Sequence, residues 1–361
     1  MRIGIDIQTT LGRKTGFGFY VSNLTQNLEQ IDKVNDYTFF QPESDQDFST
    51  PKRWLWDQVT IPGLAKKARV DILHQPCFST PIFYRGKVVV TIHDLISVFF
   101  GQNIPFWSRQ FFGRWMPFTY RFADHLIAVS EHTKRDAMRV LNIPEDKITV
   151  IHEAADERYR VIEDPVALKA VRKKYGIGEE PFILHVGTLE PRKNLQFLVK
   201  AYAKTKHRQD FQAKLVITGK KGWYYEGLFK LVSDLKLDDD VIFTGYVEDE
   251  DLPALYNAAT VFAFPSLYEG FGLPPLEAMV SGTAVISSNT SSMPEVIGDA
   301  GILLSPTDLS GWSDALYLVM TNPKERQLMR ERGLKRAKKF SWQRCAKETI
   351  MIYESVAGNK L

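Results

Sequence analysis

The sequence predicts an α/β protein that contains two doubly wound parallel sheets. Short apolar runs such as Lys87 to Ile92 and Thr260 to Phe264 have the length and the β-branched or aromatic content of buried strands. In both halves of the chain such runs are followed by segments with helical spacing, as in Val21 to Ile31 after the strand at Arg2 to Ile7. This alternation is typical of sheets that are covered by helices on both faces. A chain of 361 residues is long enough for about two such domains.

A polar stretch that runs from Glu153 to Pro165 predicts the link between the domains. It follows the strand at Ile148 to Ile151, and the next apolar strand begins only at Phe182. We therefore expect a first domain at residues 1–160 and a second domain at residues 161–340.

The charge balance is nearly even, with 46 Lys and Arg against 43 Asp and Glu and a formal net charge of +3. This balance gives no reason to expect nucleic acid as a partner. The first residues alternate like a strand rather than forming a signal peptide, and no stretch approaches the roughly 20 apolar residues of a spanning helix. Cys77 and Cys345 are far apart and have no metal-ligand spacing. The sequence predicts a cytoplasmic protein with free thiols and no metal site.

The stretch from Phe264 to Gly282 gives the strongest local signal for a ligand site. Gly270 and Gly272 allow close approach of the backbone to a ligand, and the prolines at 274 and 275 suit the first turn of a helix. Three amides are therefore predicted to lie unpaired at a helix N-terminus, where a phosphate or sugar oxygen is favoured, namely those of Phe271, Gly272 and Leu273.

Two acids flank those amides, Glu269 in the loop and Glu277 in the first helical turn. A phosphate would repel both carboxylates. We expect each of them to accept hydrogen bonds from neutral hydroxyls on either side of a diphosphate, one from a sugar ring and one from a ribose. The alternative is that Glu277 only complements the helix dipole and that Glu269 only caps a turn.

A second loop, GTLEPRKN from Gly187 to Asn194, follows the strand at Phe182 to Val186 and contains Arg192 and Lys193. Strand-to-helix loops of a parallel sheet meet at one edge, so this loop is expected to lie beside the one around Phe271. Two cations beside helix amides would neutralise much of a nucleoside diphosphate leaving group. A solvated basic pair before a helix is the less favoured alternative.

His93 is the histidine that we favour for function, because it follows directly on the strand at Lys87 to Ile92. Open α/β sheets place ligand groups at the carboxyl ends of their strands. A glycine-rich loop with Gly16 and Gly18 follows the first strand, but it does not complete the GxGxxG pattern of a dinucleotide site. These glycines either border a ligand or only form a tight turn.

Glu269, seven intervening residues and Glu277, set in PSLYEGFGLPPLEAMVSG, resemble the signature of retaining GT-B glycosyltransferases of family 4. The GTLEPRKN loop is similar to that family's phosphate loop, and the Thr-Ile-His-Asp-Leu run around His93 is similar to its histidine-aspartate element. The resemblance covers most of the C-terminal half and is weaker in the N-terminal half. It implies two Rossmann-like domains that face each other across a cleft, with a C-terminal helix at residues 341–361 that crosses back to the first domain.

The resemblance also implies roles for individual residues. Glu269 would contact sugar hydroxyls and stabilise charge, Lys193 would stabilise the leaving diphosphate, and His93 would contact the transferred sugar or help to fix the acceptor. The implied donor-binding residues, with Glu277 on the ribose and the backbone near Val247 on the base, are Gly16, Gly18, Gly187, Thr188, Arg192, Lys193, Val247, Gly270, Phe271, Gly272, Leu273 and Glu277. The EAAD sequence at 153–156 departs from the asparagine-glycine pair that many members have near this point.

The implied reaction transfers a hexose from a nucleoside diphosphate sugar to a hydroxyl of a glycan or lipid-linked glycan, in envelope polysaccharide synthesis. It would proceed with retention at the anomeric carbon and without a metal or another cofactor. A donor of the UDP-glucose type is favoured and GDP-mannose is next. A nucleotide-sugar epimerase or a phosphorylase of the same architecture stays open, as does a non-catalytic nucleotide-binding subunit.

Residues 105–121 mix seven aromatic side chains with three arginines. Aromatic residues at helical spacing usually pack into the core, which is the interpretation we favour. Peripheral contact with the anionic inner face of the cytoplasmic membrane, beside a lipid-linked acceptor, is the alternative.

Overall fold

The computed structural model describes residues 1–11, 16–43, 48–101, 106–209 and 211–358. By its internal contacts the chain divides into two compact units. Met1–Ala154 and Phe340–Leu361 form the first unit, and Ala155–Lys339 form the second. The division falls at the start of the polar stretch that the sequence indicates as a link.

The first unit is organised around six parallel strands in the order β2-β1-β3-β4-β5-β6. The strands are β1 (Arg2–Asp6), β2 (Asp36–Phe40), β3 (Ile72–Gln75), β4 (Lys87–Ile92), β5 (His125–Ala128) and β6 (Ile148–Val150). The direction of strand addition reverses between β1 and β3, which is where open sheets of this kind bind ligands.

Among the described residues of the first unit, seven helices precede the link: α1 (Gly16–Ile31), α2 (Thr50–Leu55), α3 (Ile61–Ala68), α4 (Ile96–Phe99), α5 (Phe106–Gln110), α6 (Met116–Thr119) and α7 (Glu131–Leu141). Single π-helical turns at Trp56–Thr60 and Phe111–Trp115 join α2 to α3 and α5 to α6. The helix expected to begin near Val21 in fact begins at Gly16, so both glycines of that motif lie in the first turn of α1.

The aromatic segment that begins near α5 divides between core and surface. Phe111 and Tyr120 are 4% and 2% exposed, whereas Phe106 and Trp107 are 65% and 73% exposed. Core packing therefore accounts for only part of the segment. Its first residue, Pro105, lies outside the described residues. Contact of the exposed rings with a membrane surface stays a prediction. Within the described ranges, none of the helices combines the length and the apolar character needed to cross a bilayer.

The second unit contains a sheet of six parallel strands in the order β12-β11-β10-β7-β8-β9. The strands are β7 (Phe182–Val186), β8 (Lys214–Thr218), β9 (Val241–Gly245), β10 (Val261–Phe264), β11 (Ala284–Ser288) and β12 (Ile302–Leu304). Here the order reverses between β7 and β10.

The part of the second unit that the structure describes also contains eight helices: α8 (Pro165–Lys174), α9 (Leu195–Lys206), α10 (Glu226–Asp234), α11 (Leu252–Ala258), α12 (Leu273–Val280), α13 (Met293–Ile297), α14 (Leu309–Thr321) and α15 (Pro323–Ala337). Helix α9 packs against α10 and α14, whereas α12 packs against α11 and α15. Right-handed crossovers that leave β7 and β10 in opposite directions place α9 and α12 on opposite faces of the sheet.

The final helix, α16 (Trp342–Ala357), returns to the first unit and packs along α1. It buries Trp342, Cys345 and Tyr353 in the core around β1 and β3. The Tyr353 hydroxyl lies 2.6 Å from Nδ1 of the buried His74 on β3. The predicted fold class, α/β with two doubly wound parallel sheets, is confirmed.

Candidate active site

The two motif loops of the second unit lie together at the carboxyl ends of β7 and β10. Because the strand order reverses between these strands, their connections leave in opposite directions and open a space above the sheet edge. The loops also touch directly, since the Leu267 amide donates a hydrogen bond of 2.9 Å to the Arg192 carbonyl. Topology therefore brings Arg192 and Lys193 next to the loop that contains Glu269.

An ionic cluster joins these loops. Nζ of Lys193 and Nη1 of Arg192 each lie 2.7 Å from Oε1 of Glu269. The Ser266 hydroxyl donates to the same oxygen at 2.5 Å, and Nη2 of Arg192 lies 2.5 Å from Oε1 of Glu190. Glu190, Lys193 and Glu269 are all buried, so these contacts are shielded from solvent.

Glu269 is ionised in this cluster. Burial alone would raise the pKa of the Glu269 carboxyl, but Arg192, Lys193 and the hydrogen bond from Ser266 hold it at about 2. Such a carboxylate is a weak base and suits hydrogen bonding to hydroxyls. The two cations are already matched by Glu190 and Glu269, so a phosphate must compete with these acids for them, whereas a sugar hydroxyl can donate to the acids.

The loop between Glu269 and α12 is fixed by two serines that precede α13. The Ser291 hydroxyl accepts a hydrogen bond of 2.9 Å from the Glu269 amide, and the Ser292 hydroxyl donates to the Phe271 carbonyl at 2.5 Å. Gly272 is the N-cap of α12 at φ 115°, and a Cβ there would lie 2.3 Å from Cε of Met293. The positive φ therefore favours glycine at this position, and a larger residue would also displace the end of the Met293 side chain.

Glu277 lies on α12 between two tyrosines, and the expectation that it lies in the first turn of the helix is wrong, because α12 begins at Leu273 and has no acidic residue in its first turn. The Tyr256 hydroxyl on α11 donates to Oε2 of Glu277 at 2.9 Å, and the Tyr159 hydroxyl is a second hydrogen-bond partner. Burial raises the pKa of Glu277 to about 7, although both tyrosines favour the carboxylate. Glu277 therefore ionises near neutral pH, in contrast to Glu269.

The other predicted donor-binding residues of the second unit have diverse surroundings. Gly187 follows β7, and a Cβ there would lie 3.3 Å from both Cε of Lys193 and Nε2 of His185. Thr188 is exposed, and Val247 is 3% exposed just beyond β9. Their contacts with a donor stay predictions.

His93, Gly16 and Gly18 belong to the first unit. His93 lies directly beyond β4, where it lines a cavity of about 250 Å³ together with Phe17, Cys77, Phe78 and Asp94, among others. Gly18 is buried and Gly16 is exposed; a Cβ on Gly16 would meet nothing within 4 Å. Local space therefore does not require glycine at position 16, and its role in donor binding stays a prediction.

Several residues of the site were not found by reasoning from the sequence. Glu190 stands inside the GTLEPRKN motif, where its charge was a usable signal. Ser266 likewise lies just before Glu269. No local pattern marks Tyr159 and Tyr256, because they reach Glu277 from the link and from α11. Among the residues that the structure describes, no three His, Cys, Asp or Glu side chains are grouped in a way that could hold a metal ion.

Two doubly wound sheets in one chain, completed by a C-terminal helix that returns to the first, form the architecture of GT-B glycosyltransferases. Comparison with known proteins agrees. Residues 169–336 match the family described as Glycosyl transferases group 1, and residues 25–159 match Glycosyltransferase Family 4. The chain is 34% identical to O-antigen chain mannosyltransferase B of Escherichia coli, over 78% of this chain and 74% of that protein. It therefore belongs to the family 4 glycosyltransferases.

Two further comparisons extend this result. The chain is 32% identical to the serotype-specific mannosyltransferase WbdA of Escherichia coli over 71% of its own length, but it spans only 32% of that protein. Among solved structures, sucrose-phosphate synthase from Thermosynechococcus elongatus superimposes with a TM-score of 0.78 at 20% identity and complete coverage of both chains. At that identity the likeness shows the fold alone.

Proposed function

We propose that this glycosyltransferase transfers mannose from GDP-mannose to a hydroxyl of a glycan or lipid-linked glycan in envelope polysaccharide synthesis. The observation on which the proposal rests is the buried cluster in which Lys193 and Arg192 share Oε1 of Glu269 at 2.7 Å. The activities of both mannosyltransferase relatives favour mannose as the sugar. The sequence resemblance favours a UDP-glucose donor instead. That preference stays a prediction, and the experiment below compares the two donors directly.

In the proposed reaction the bond between the anomeric carbon and the β-phosphate oxygen breaks as the acceptor oxygen forms its bond to the same carbon. The acceptor proton passes to the departing phosphate, and configuration is retained because both events take place on one face of the sugar. Lys193 and Arg192 favour the negative charge that develops on the diphosphate. No metal takes part in this scheme.

Glu269 is assigned to sugar hydroxyls rather than to a covalent intermediate. A nucleophilic carboxylate must retain enough electron density to attack the anomeric carbon. Oε1 of Glu269 already has Lys193, Arg192 and Ser266 as partners, and its pKa of about 2 indicates a weak nucleophile. Glu277 is assigned to the ribose, because a carboxylate between tyrosine hydroxyls suits further neutral donors.

The test is a donor screen followed by transfer assays. Purified protein is incubated with GDP-mannose or UDP-glucose, alone and with α-linked mannose oligosaccharides, and the products are separated by mass. We expect a thermal shift with GDP and a hexose increment only from GDP-mannose. Lys193→Met should abolish the increment, whereas Lys200→Met, a matched change at an exposed lysine on α9, should not.

Three outcomes would overturn the proposal. An epimerised donor without acceptor would indicate an epimerase, and sugar phosphate from an oligosaccharide and inorganic phosphate would indicate a phosphorylase. GDP binding with no turnover of any donor would indicate a nucleotide-binding subunit. A hexose increment from UDP-glucose alone would keep the reaction class and reject the mannose assignment.

A further inference from the structure

His93 connects the ends of three strands of the first sheet. Its Nδ1 lies 2.9 Å from Oε1 of Glu153, which follows β6. Its Nε2 lies 2.9 Å from the carbonyl oxygen of Pro76, which follows β3. His93 itself follows β4 directly. The imidazole is therefore tied on both sides to the edge of the sheet where ligands are expected.

The chemistry of these two partners determines the protonation of the ring. The Pro76 carbonyl can only accept, so Nε2 must donate a proton to it. Oε1 of Glu153, 2.9 Å from Nδ1, accepts a hydrogen bond from that nitrogen, so Nδ1 donates as well. An imidazole that donates from both nitrogens is an imidazolium, and the 2.9 Å contact with Glu153 is then a charge-assisted hydrogen bond.

The ring has little freedom to leave this arrangement. The side chains of His93 and Glu153 are 11% and 5% exposed. From α1, the Tyr20 ring meets His93 edge-on at a centroid distance of 4.6 Å, and the Phe17 ring packs at 4.9 Å. Rotation of the imidazole would break both hydrogen bonds inside this packing.

Other titratable groups surround the pair: Cys77, whose Sγ is 3.6 Å from Nε2, Asp94, His74, Tyr20 and Cys345. Burial by itself lowers the pKa of His93, but Cys77 and Glu153 together raise it well above the usual range for histidine. Burial lowers the pKa of the neighbouring His74 to about 3, so that second ring adds no proton near neutral pH.

We propose that Glu153 is a positioning residue that holds His93 as a fixed imidazolium, so that His93 acts in sugar transfer through its positive charge and not by exchanging a proton. The proposal rests on the proposed function for the reaction in which that charge is used. It also gives a role to the acid at position 153, where the EAAD sequence departs from the pattern that the family resemblance leads one to expect.

The cavity beside His93 shows where the charge is presented. His93 lines this cavity of about 250 Å³, whereas Glu153 is not among its lining residues. The His93 ring therefore forms part of the cavity wall, while the Glu153 side chain, which is 5% exposed, contacts the ring at Nδ1. A ligand in the cavity therefore meets the imidazolium, which favours negative charge that develops during the reaction.

The test is Glu153→Gln, which changes the charge with almost no change of shape. The glutamine amide can donate to Nδ1 while Nε2 still donates to Pro76, so His93 becomes a neutral imidazole in the same place. Nitrogen NMR of the imidazole rings at about pH 8 should show both His93 nitrogens protonated in the native protein and only one in the variant. We expect kcat for sugar transfer to fall by about 100-fold, with the KM for the donor little changed.

Two further variants separate positioning from mere stability. Glu153→Asp keeps the carboxylate and should recover part of kcat together with the doubly protonated ring. Glu29→Gln, the same acid-to-amide change at an exposed site on α1, should alter neither readout. A native His93 that titrates near the ordinary histidine value would overturn the proposal, whether or not transfer is observed. A Glu153→Gln protein with a neutral ring and full kcat would also overturn it. In both cases the proposed mannosyl transfer is tested separately, by the donor screen and transfer assays.

Discussion

Donor affinity is expected to depend on pH through Glu277. Burial raises the pKa of this carboxyl to about 7, and the ionised form is the stronger acceptor for ribose hydroxyls. Lowering the pH from about 8.5 to about 5.5 should leave Glu277 ionised in roughly 3% of the protein. The apparent Kd for GDP-mannose should therefore rise by up to about 30-fold, which corresponds to about 2 kcal/mol.

The stability of the ligand-free protein should change in the opposite direction. Because the folded pKa lies above the ordinary value of 4.5, folded Glu277 retains its proton between about pH 4.5 and pH 7. Ionising it within the fold costs free energy, so its contribution to stability declines as the pH rises through this range. A shift from 4.5 to about 7 corresponds to about 3 kcal/mol of unfolding free energy.

Isothermal titration calorimetry with GDP-mannose, in the absence of acceptor, measures the affinity directly. GDP-mannose is preferable to GDP, because its diphosphate is esterified at both ends and does not titrate in this range. Glu277→Gln should bind weakly at every pH, with a flat profile. Tyr256→Phe removes a hydrogen bond of 2.9 Å that favours the carboxylate, so the midpoint should move about one to two pH units upward.

Two results would refute this reasoning. One is a Kd that stays constant across the range in the native protein, since Glu277 would then not be the ionising contact. The other is an equal pH profile in native protein and Glu277→Gln, because the titrating group would then lie elsewhere.

Four other predictions concern the second unit. Lys193→Met removes a buried cation of the proposed diphosphate site, so kcat/KM should fall by about 100-fold or more in steady-state kinetics. Glu269→Gln leaves Lys193 and Arg192 without their shared carboxylate and should cost about 3 to 5 kcal/mol in urea unfolding at neutral pH. In native protein the Glu269 contribution should be lost as the pH falls from 4.5 through about 2. Gly272→Ala forces a Cβ against Met293 at φ 115°, and differential scanning calorimetry should show a loss of about 1 to 3 kcal/mol.

Each of these predictions has a contradicting result. Lys200→Met controls for the lysine change, and equal losses in both lysine variants would remove the special role of Lys193. An unchanged urea midpoint for Glu269→Gln would mean that the buried cluster adds no stability. An unchanged melting temperature for Gly272→Ala would mean that Met293 moves aside at no cost.

Local pattern predicts the architecture and the two motif loops because both follow from short-range periodicity. The strand at Phe182 to Val186 and the loop with Arg192 and Lys193 could be read directly from apolar runs and the residues after them. The meeting of that loop with Glu269 follows from parallel-sheet geometry. Distances between side chains inside the cluster depend on packing and cannot be read from spacing.

The sequence does not predict contacts between residues that are far apart in the chain. Glu153 meets His93 across 60 positions, and Tyr353 meets His74 across 279. Neither pair has a spacing rule, because each depends on which strand lies next to which. The expected start of α1 was wrong because glycine favours loops in isolation, whereas packing of α1 in the core with β1 and against α16 outweighs a cost of up to about 1 kcal/mol per glycine.

Helix α16 has a consequence for the order in which the chain acquires its structure during synthesis. The core that surrounds β1 and β3 includes Trp342, Cys345 and Tyr353. Strand β1 leaves the ribosome early, but its core cannot be completed until these three residues have been synthesised. Residues 155–339 have by then emerged, on the order of 10 to 40 s of translation, and can reach their native state first. During that interval the apolar face that α16 later covers is open to chaperones, and a chain that loses this helix keeps it open permanently.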